Sequence, residues 1–382
     1  MANLFTERVR IPTGLDCNES CKFCYYHDKL NTQRYSEQEM IQKIHFAHRH
    51  GIKDLDFSGG EPTLRKDLPD LIALSKSLGF RRICVITNGS KIKDTEYIKK
   101  LADQGLNEVL LSIHGYNDET HDLAVGRKGS FSGIEKAICN IKKFNLRFRT
   151  NTVISALNFD CIDKIAGYLV TLSPVASNFI CFNDWNRAAS LTGNLACRYS
   201  EVSAPLCRAI DIMSPVISKV TVRYIPYCFM LGYEKYVCNI LQNEYDPDEW
   251  IDSIKHVLTF QDLVGEKARR YYKSLYQWFR QYPDEALRDI RADYKDSELS
   301  DPDIFLDLKK EYVRLAHKVD NAYVRSKYRK AEACQQCSRF DICDGLEATY
   351  ADIIGCKELK PVLGDKISDC MFFRAGYSQD WL

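Results

Sequence analysis

The sequence has no apolar run of the roughly 20 residues that a membrane-spanning helix needs. Its first residues include Glu7 and Arg8, where a secretory signal would carry an apolar stretch. Neither sign of charge dominates, because 53 Lys and Arg face 52 Asp and Glu, for a formal net charge of +1. A nucleic-acid coat protein would show a basic excess. We therefore expect a soluble, cytoplasmic protein with neither a membrane nor a nucleic-acid partner.

Cysteine, in contrast, is abundant, with 16 residues in a chain of 382. A chain of this size without a secretory signal is expected in a reducing compartment, where disulfides are rare. Clustered cysteines in such a compartment bind metal or take part in redox chemistry. The cysteine count therefore predicts iron or zinc sites.

Short β-branched runs alternate with amphipathic segments from residue 8 to about residue 182. Ser36 and Glu39 have the spacing of a capping box at the start of the first such helix. This pattern of six βα repeats predicts an α/β fold with a parallel sheet, whose functional site forms at the carboxyl ends of the strands. The predicted strands are Arg8–Ile11, Asp54–Phe57, Arg82–Ile86, Glu108–Ser112, Arg147–Ile154 and Asn178–Phe182.

The pattern divides the chain into four regions. Residues 1–190 hold the βα repeats, and residues 191–240 are expected to be a linker and the start of a second domain, with a short strand at Val220–Tyr224. Residues 241–330 are polar and predicted to be a helical insertion, either a solvated one or a substrate lid. Residues 331–382 form a cysteine-dense C-terminal segment.

Three cysteines directly follow the first predicted strand, at Cys17, Cys21 and Cys24. Three thiolates in one short loop can hold three corners of a [4Fe-4S] cube and leave the fourth iron open. Structural zinc sites normally have four protein ligands. The cluster is therefore the leading interpretation, and a zinc site completed by His27 or three unrelated thiols are the alternatives.

Polar loops follow the next three predicted strands. The paired Gly59 and Gly60 allow the backbone to approach a ligand closely, and Glu61 offers a carboxylate to an amine. Because parallel strands end at the same edge of a sheet, these loops are expected to converge near the cysteines. The three loops are Ser58–Thr63, Thr87–Gly89 and Ser112–Gly115, the last with His114 beside the strand end.

The CxxxCxxC loop, followed in order by GGEPT, TNG and a Ser-bearing fourth strand, resembles the radical S-adenosylmethionine (SAM) superfamily over residues 5–185. The resemblance implies a (βα)6 partial TIM barrel with a SAM-binding [4Fe-4S] cluster on Cys17, Cys21 and Cys24. It also implies reductive cleavage of SAM to a 5′-deoxyadenosyl radical that abstracts a hydrogen atom, with electrons from a reductase, flavodoxin or ferredoxin. The candidate SAM contacts are Phe23, Gly59, Gly60, Glu61, Asn88, Ser112, His114, Asn151 and Phe182.

A second cysteine group lies near the C-terminus, at Cys334, Cys337 and Cys343. With Cys228 as our choice of fourth ligand, it resembles the SPASM/twitch domain of radical SAM enzymes, which binds an auxiliary [4Fe-4S] cluster. Glu347 stands where a full SPASM domain has a further cysteine, so one auxiliary cluster is expected and not two. A zinc ribbon is the alternative. Competing fourth ligands are Cys238, Cys356 and Cys370.

Enzymes with this appendage commonly oxidise, crosslink or epimerise ribosomal peptides, so the resemblance implies an oxidoreductase or related radical enzyme acting on a peptide. A sugar, nucleoside or other small molecule of natural-product biosynthesis is the alternative substrate. Because the predicted barrel begins almost at residue 1, no N-terminal peptide-recognition domain is expected. An Fe–S electron carrier and a zinc-stabilised binding module are the other classes, and neither of them needs the GGEPT loop.

Asp184 follows the last predicted strand, where it is expected either to bind substrate or to cap a helix. The remaining cysteines fall mostly within predicted helices and strands, where a thiol behaves as a small apolar side chain. We therefore expect core positions for Cys84, Cys139, Cys161, Cys181, Cys197 and Cys207.

Overall fold

The computed structural model describes residues 6–49, 51–183, 195–243, 246–250, 324 and 327–374. Seven of its strands form one parallel sheet in the order β1 to β7, as expected of a partial TIM barrel with β1 and β7 as its two edges. The strands are β1 Arg8–Pro12, β2 Asp54–Ser58, β3 Arg82–Thr87, β4 Glu108–Ser112, β5 Arg147–Ile154, β6 Ala176–Cys181 and β7 Lys219–Arg223.

Helices follow the strands and cover the outer face of the sheet. The predicted capping box at the start of α1 is confirmed, because the Ser36 main-chain N–H donates to the Glu39 carboxylate (2.6 Å) and the Glu39 N–H donates to the Ser36 hydroxyl (3.2 Å). The helices of the barrel region are α1 Glu37–Arg49, α2 Leu68–Ser77, α3 Thr95–Gln104, α4 Asp118–Val125, α5 Phe131–Lys143, α6 Ile162–Leu172, α7 Tyr199–Met213 and α8 Ile240–Asn243.

The sheet has one strand more than the six that the sequence predicts. β7 pairs in parallel with β6 and therefore extends the barrel, although it lies in a segment that was expected to lead away from it. Helix α7 carries the chain back to the edge of the sheet, and it contains Pro205 within its length. An internal proline is atypical of a helix, so the sequence pattern did not predict this crossover.

The barrel interior is charged near the amino ends of the strands, whereas the apolar core lies between the sheet and the helices. Arg8 Nη1 lies 3.0 Å from Glu108 Oε1, and Arg149 Nη2 lies 3.3 Å from Asp56 Oδ2, with all four side chains buried. Cys84 is buried as expected, but it faces this charged interior, with its Sγ 3.8 Å from Arg149 Nη2, and not the apolar layer under the helices. Strand residues alternate between the two faces, and Cys84 falls on the inner one.

Two other predicted core cysteines, Cys161 and Cys181, are buried as expected, whereas Cys139 is exposed. Cys139 lies on the outer side of α5, because the buried side of that helix is taken by residues such as Ile138 and Ile141. The prediction of a core position for Cys139 is therefore wrong. Cys197 and Cys207 are half-buried.

The C-terminal segment contains a two-stranded antiparallel ribbon, β8 Tyr328–Arg329 and β9 Leu346–Glu347, followed by helix α9 Ala348–Ile354. Most of the predicted helical insertion at 241–330 lies outside the described residues, as does Asp184. Residues 246–250, which fall within the predicted insertion, form turns and not a helix. None of the described helices combines the length and apolar character that crossing a bilayer takes.

Candidate active site

The cysteine loop after β1 is held against the end of α4 by its own backbone. The main-chain N–H of Ser20 donates to Val125 O (3.2 Å), and that of Lys22 donates to Ala124 O (3.1 Å). Gly126, which follows Val125, has a φ of +66°, and a Cβ on it would lie 2.7 Å from Ser20 O. Glycine is therefore required where the two segments meet.

The GGEPT loop packs directly on the cysteine loop. The Gly60 N–H donates to Gly14 O (2.8 Å) and the Glu61 N–H donates to Asp16 O (2.7 Å). A Cβ on Gly59 would lie 2.3 Å from Gly14 O, and one on Gly60 would lie 2.1 Å from Asp16 O. The glycine pair thus permits this contact between loops, a reason separate from the predicted approach to a ligand.

The Glu61 carboxylate joins the GGEPT loop to the TNG loop. It is buried and accepts four hydrogen bonds, from Thr63 N (3.0 Å), Thr63 Oγ1 (2.5 Å), Thr87 Oγ1 (2.8 Å) and Asn88 N (2.8 Å). Burial raises the pKa of Glu61, and these donors oppose that shift. Since four donors fill the acceptor sites of a carboxylate, the main chain of Glu61 is better placed than its side chain to receive an amine.

Asn88 connects the TNG loop to the cysteine loop. Its Nδ2 donates to Asn18 Oδ1 (2.8 Å), and Asn18 Nδ2 in turn donates to Ser90 Oγ (2.7 Å). The sequence predicted Asn88 as a SAM contact, and in the structure its side chain positions the cysteine loop. Asn18, directly after Cys17, was not singled out, because an asparagine in a loop carries no special pattern.

The three loop cysteines are all half-buried, and Cys21 and Cys24 lie on one turn, in which the Cys24 N–H donates to Cys21 O (3.1 Å). Burial, together with the nearby Glu61, Glu19 and Cys24, raises the pKa of the Cys17 thiol to about 11. Thiols in such surroundings need a bound metal to become thiolates. His27, the alternative fourth ligand for zinc, instead has its Nδ1 3.0 Å from Asp28 Oδ1.

A group of ligand-type side chains also lies in the barrel interior, away from the cysteine loops. Within the described ranges, Asp56, Cys84 and Glu108 are the only three ligand-type side chains whose ligand atoms lie within 4.8 Å of one another. Arg8 and Arg149 pair with those two acids, so the group belongs to the charged interior of the barrel.

An aromatic group lies beside the cysteine loop. The rings of Phe23 and His114 meet edge to face with centroids 4.4 Å apart, and Phe23 shares a small apolar cluster with Phe182. His114 Nδ1 accepts from Val153 N (3.1 Å), and burial lowers the pKa of His114 well below its usual range. The imidazole is therefore neutral, with its proton on Nε2.

The predicted contacts Ser112 and Asn151 are neighbours in the register of β4 and β5. The row continues across the sheet, because Asn178 Nδ2 donates to Asn151 Oδ1 (3.0 Å) and Thr221 Oγ1 donates to Asn178 Oδ1. Asn178 and Thr221 were missed in the sequence, although polar residues at alternate strand positions could have indicated an inward polar row. This row lies on the carboxyl side of the charged layer.

The four predicted ligands of the auxiliary cluster line one cavity. Cys228 reaches it from the turn after β7, and Cys334, Cys337 and Cys343 reach it from the loop between β8 and β9. Of the competing ligands, Cys238 faces Asn243 and Asp246 instead. Neither Cys356 nor Cys370 is among the residues that line this cavity.

Three basic residues, Lys330, Arg339 and Lys360, line the auxiliary cavity, and Arg339 also pairs with Glu234 (2.7 Å). Lys330 Nζ is held by Phe340 O (2.6 Å) and lies 4.2 Å from the centroid of the Phe340 ring. Thiolates bound to an iron–sulfur cube give it a net negative charge, which this lining offsets.

Glu347, which stands in place of the further SPASM cysteine, caps a helix. Its carboxylate accepts from Thr349 N (2.8 Å) and Tyr350 N (3.2 Å) at the start of α9. The residue therefore has a structural task of its own, consistent with a single auxiliary cluster.

Comparison with protein families identifies the barrel. A family model described as the Radical SAM superfamily matches residues 11–169, which run from β1 into α6 and include the cysteine, GGEPT and TNG loops. This chain contains a radical SAM domain. Domains of this superfamily bind a [4Fe-4S] cluster and SAM, and the donor set of the cysteine loop fits that cluster.

The chain is similar to parts of curated enzymes. The chain is 32% identical over 158 residues to 7,8-dihydro-6-hydroxymethylpterin dimethyltransferase of Methanocaldococcus jannaschii, covering 40% of this chain and 31% of that one. It is 29% identical over 191 residues to GTP 3′,8-cyclase of Aquifex aeolicus, covering 47% and 59%. It is 38% identical over 141 residues to Fe-coproporphyrin III synthase of Methanosarcina barkeri, covering 35% of each. The chain thus spans less than two thirds of the length of each of these relatives.

Among solved structures, methylornithine synthase aligns with a TM-score of 0.47 at 15% identity, covering 68% of this chain and 82% of that one. SuiB of Streptococcus suis aligns with a TM-score of 0.47 at 16% identity, covering 55% and 47%. A likeness of this size says nothing about substrate.

Proposed function

We propose that this protein is a radical SAM enzyme in which Cys17, Cys21 and Cys24 hold the SAM-binding [4Fe-4S] cluster. The observation that carries the proposal is the three-thiol loop clamped between the GGEPT and TNG loops through Glu61 and Asn18. When bound, the cluster and SAM supply a 5′-deoxyadenosyl radical that removes a hydrogen atom from the substrate.

The residues of this chain would bind and orient SAM and enclose the reacting centre. The main chain of Gly60 and Glu61 lies against the cysteine loop, where it can receive the SAM amino group. The Phe23, His114 and Phe182 group offers an apolar wall, and neutral His114 can donate one hydrogen bond through Nε2. Such a wall keeps water away from a reactive radical.

We propose that Cys228, Cys334, Cys337 and Cys343 bind the auxiliary [4Fe-4S] cluster. Four thiolates leave no iron open, so the role supported for it is transfer of an electron and not binding of substrate. The lining by Lys330, Arg339 and Lys360 favours acceptance of an electron, because positive charge stabilises the reduced cluster. In an oxidation or a crosslinking, the substrate would then lose a hydrogen atom to the radical, an electron to the second cluster and a proton to solvent, whereas an epimerisation would involve no net loss of electrons.

For the substrate we propose a peptide, with oxidation, crosslinking or epimerisation as the outcome, as the SPASM/twitch resemblance implies. A small molecule is the second candidate, favoured by the names of the curated relatives, which include a GTP cyclase and a pterin methyltransferase. These relatives match only 40% and 47% of this chain, whereas substrate choice depends on loops and segments that vary between relatives. A reduced flavodoxin or ferredoxin is the proposed electron donor.

The proposal is tested by anaerobic reconstitution of the full chain with iron and sulfide. We expect about eight irons per chain, two cubes of four, and release of 5′-deoxyadenosine from SAM in the presence of dithionite. A preparation that binds stoichiometric zinc, takes up no iron and releases no deoxyadenosine would show a zinc-stabilised module. Iron uptake without any SAM cleavage would point instead to an electron carrier.

A further inference from the structure

A short acidic stretch, residues 246–250, lies between the two edge strands of the barrel, and we call it the seam segment. β1 and β7 do not pair with each other within the described sheet. On the β1 side, Thr6 Oγ1 donates to Glu249 O (2.5 Å). On the β7 side, Lys219 Nζ lies 3.0 Å from Asp248 Oδ2. The seam segment thus bridges the gap that an open barrel leaves.

The seam segment also fills the amino end of the barrel. Asp248 O accepts from Arg149 Nη1 (3.1 Å), the Asp248 carboxylate lies 3.2 Å from Arg147 Nη2, and Glu249 pairs with Arg223 (2.7 Å). Both carboxylates that pair with Lys219, those of Asp246 and Asp248, belong to the segment. Removing the segment would leave a buried ammonium without these partners, which is energetically unfavourable.

Trp250 closes the seam nearer the middle of the strands. Its Nε1 donates to Asp56 Oδ2 (2.8 Å), across the barrel interior. Its ring lies 5.2 Å from the Arg10 guanidinium of β1 and 5.9 Å from the Arg223 guanidinium of β7. An indole between two guanidinium groups is attracted to both, so it holds the two edges together.

The side chains behind the segment have no contact with solvent, because Asp56, Cys84 and Glu108 are 0% exposed. We propose that the seam segment is a fixed closure of the side and amino end of the barrel, so that among the described residues the route left for substrate to the reacting centre is from the carboxyl ends of the strands. The closure is argued from geometry alone, whereas the route of the substrate rests on the proposed function. A peptide would then present a terminus or a loop to the carboxyl end and would not be threaded through the barrel.

Cys84 provides a reporter inside the closure, because its Sγ lies in the barrel interior beside Arg149. The holoenzyme is alkylated anaerobically with N-ethylmaleimide, and the labelling rate of each cysteine is measured by peptide mass spectrometry. Exposed Cys139 is the fast reference, and Cys181, buried under the helices, reports global unfolding. The measurement needs neither SAM nor catalysis, so its failure is distinguishable from failure of the proposed function.

We expect Cys84 to react at least about 100-fold more slowly than Cys139 in the wild-type protein, since reaction requires local opening. Trp250→Ala removes the indole over Asp56, so Cys84 should react at least about 10-fold faster while Cys181 stays protected. The control Ile165→Val, which trims the core outside the barrel, should leave Cys84 protected.

Two results would overturn the closure. One is wild-type Cys84 reacting as fast as Cys139, and the other is Trp250→Ala leaving Cys84 as protected as before. If Trp250→Ala exposes Cys181 as well, Asp248→Asn decides the matter. Labelling of Cys84 ahead of Cys181 in that variant supports the closure, and equal rates for the two thiols contradict it.

Discussion

The two cysteine groups of this protein are built in opposite ways. Cys17, Cys21 and Cys24 lie within one loop and lack a fourth cysteine, whereas the auxiliary cavity joins Cys228 to cysteines more than 100 residues later in the chain. A three-thiol site leaves one iron free for a ligand, and a four-thiol site is closed. This difference supports the proposed function, in which one group serves the chemistry and the other serves electron transfer.

The electrostatic surroundings differ in the same sense. Glu19 and Glu61 lie close to the cysteine loop, whereas Lys330, Arg339 and Lys360 line the auxiliary cavity. The sulfonium and ammonium groups of SAM are cationic, so an acidic environment suits the first site. Positive charge suits a cluster that accepts an electron, because it stabilises the reduced form.

Replacing a ligand of the open site should have the largest effect. In Cys21→Ala we expect release of 5′-deoxyadenosine to fall to the level of the assay blank, with iron content falling from about eight to about four per chain. Cys139→Ala, at an exposed thiol, is the matched control and should keep both values. Undiminished release from Cys21→Ala would refute the assignment of the loop.

Replacing a ligand of the closed site should separate the two clusters. Cys228→Ala is expected to lower the iron content to about four while 5′-deoxyadenosine release continues, because the SAM site is intact. Cys238→Ala, at a buried thiol that does not line the cavity, should retain about eight irons. The reverse result for these two variants would make Cys238 the fourth ligand.

Removing the hydrogen bonds that join the cysteine loop to the TNG loop should have a smaller effect. Asn18→Ala removes hydrogen bonds to Asn88 and Ser90, and we expect SAM affinity to fall by about 10-fold, as for residues that orient metal ligands, with the iron content unchanged. A double-mutant cycle with Ser90→Ala should show coupling between the two positions. The control Ser36→Ala removes the cap of α1, at a cost of about 1 kcal/mol in stability, and should leave SAM affinity unchanged. An equal loss of SAM affinity in Ser36→Ala would contradict a positioning role for Asn18.

The smallest effect is expected from the charge around the closed site. Lys330→Gln should shift the midpoint potential of the auxiliary cluster to a more negative value by up to about 60 mV, a tenfold change for a one-electron couple. Redox titration monitored by electron paramagnetic resonance would measure it, and Lys330→Arg should restore the potential. Lys327→Gln, at an exposed lysine nearby, serves as control. A shift in the midpoint potential of the SAM-binding cluster instead would contradict the placement of the auxiliary cluster in the cavity that Lys330 lines.

Most of the barrel could be predicted from the sequence, because strand and helix periodicity and the capping box of Ser36 and Glu39 are local signals. The loops at Cys17–Cys24 and Ser58–Thr63 could also be predicted, since their chemistry lies in consecutive residues. The strand β7 was not counted with the barrel, because Pro205 obscures the helix that leads to it. The task of Asn18 was missed, because its partners lie 70 residues and more away.

The sequence by itself determined which thiols stand together in each short motif and which polar loop follows each strand, since these depend on residues close in the chain. The sequence offered Cys228 as one of four candidates, and only the tertiary structure set it in one cavity with the C-terminal cysteines and placed residues 246–250 between β1 and β7. Both depend on contacts between distant segments, formed by buried charges and single side chains that leave no periodic pattern in the sequence. The residues proposed to bind the cofactors therefore lie in local motifs, whereas the path by which a substrate reaches the reacting centre depends on the fold.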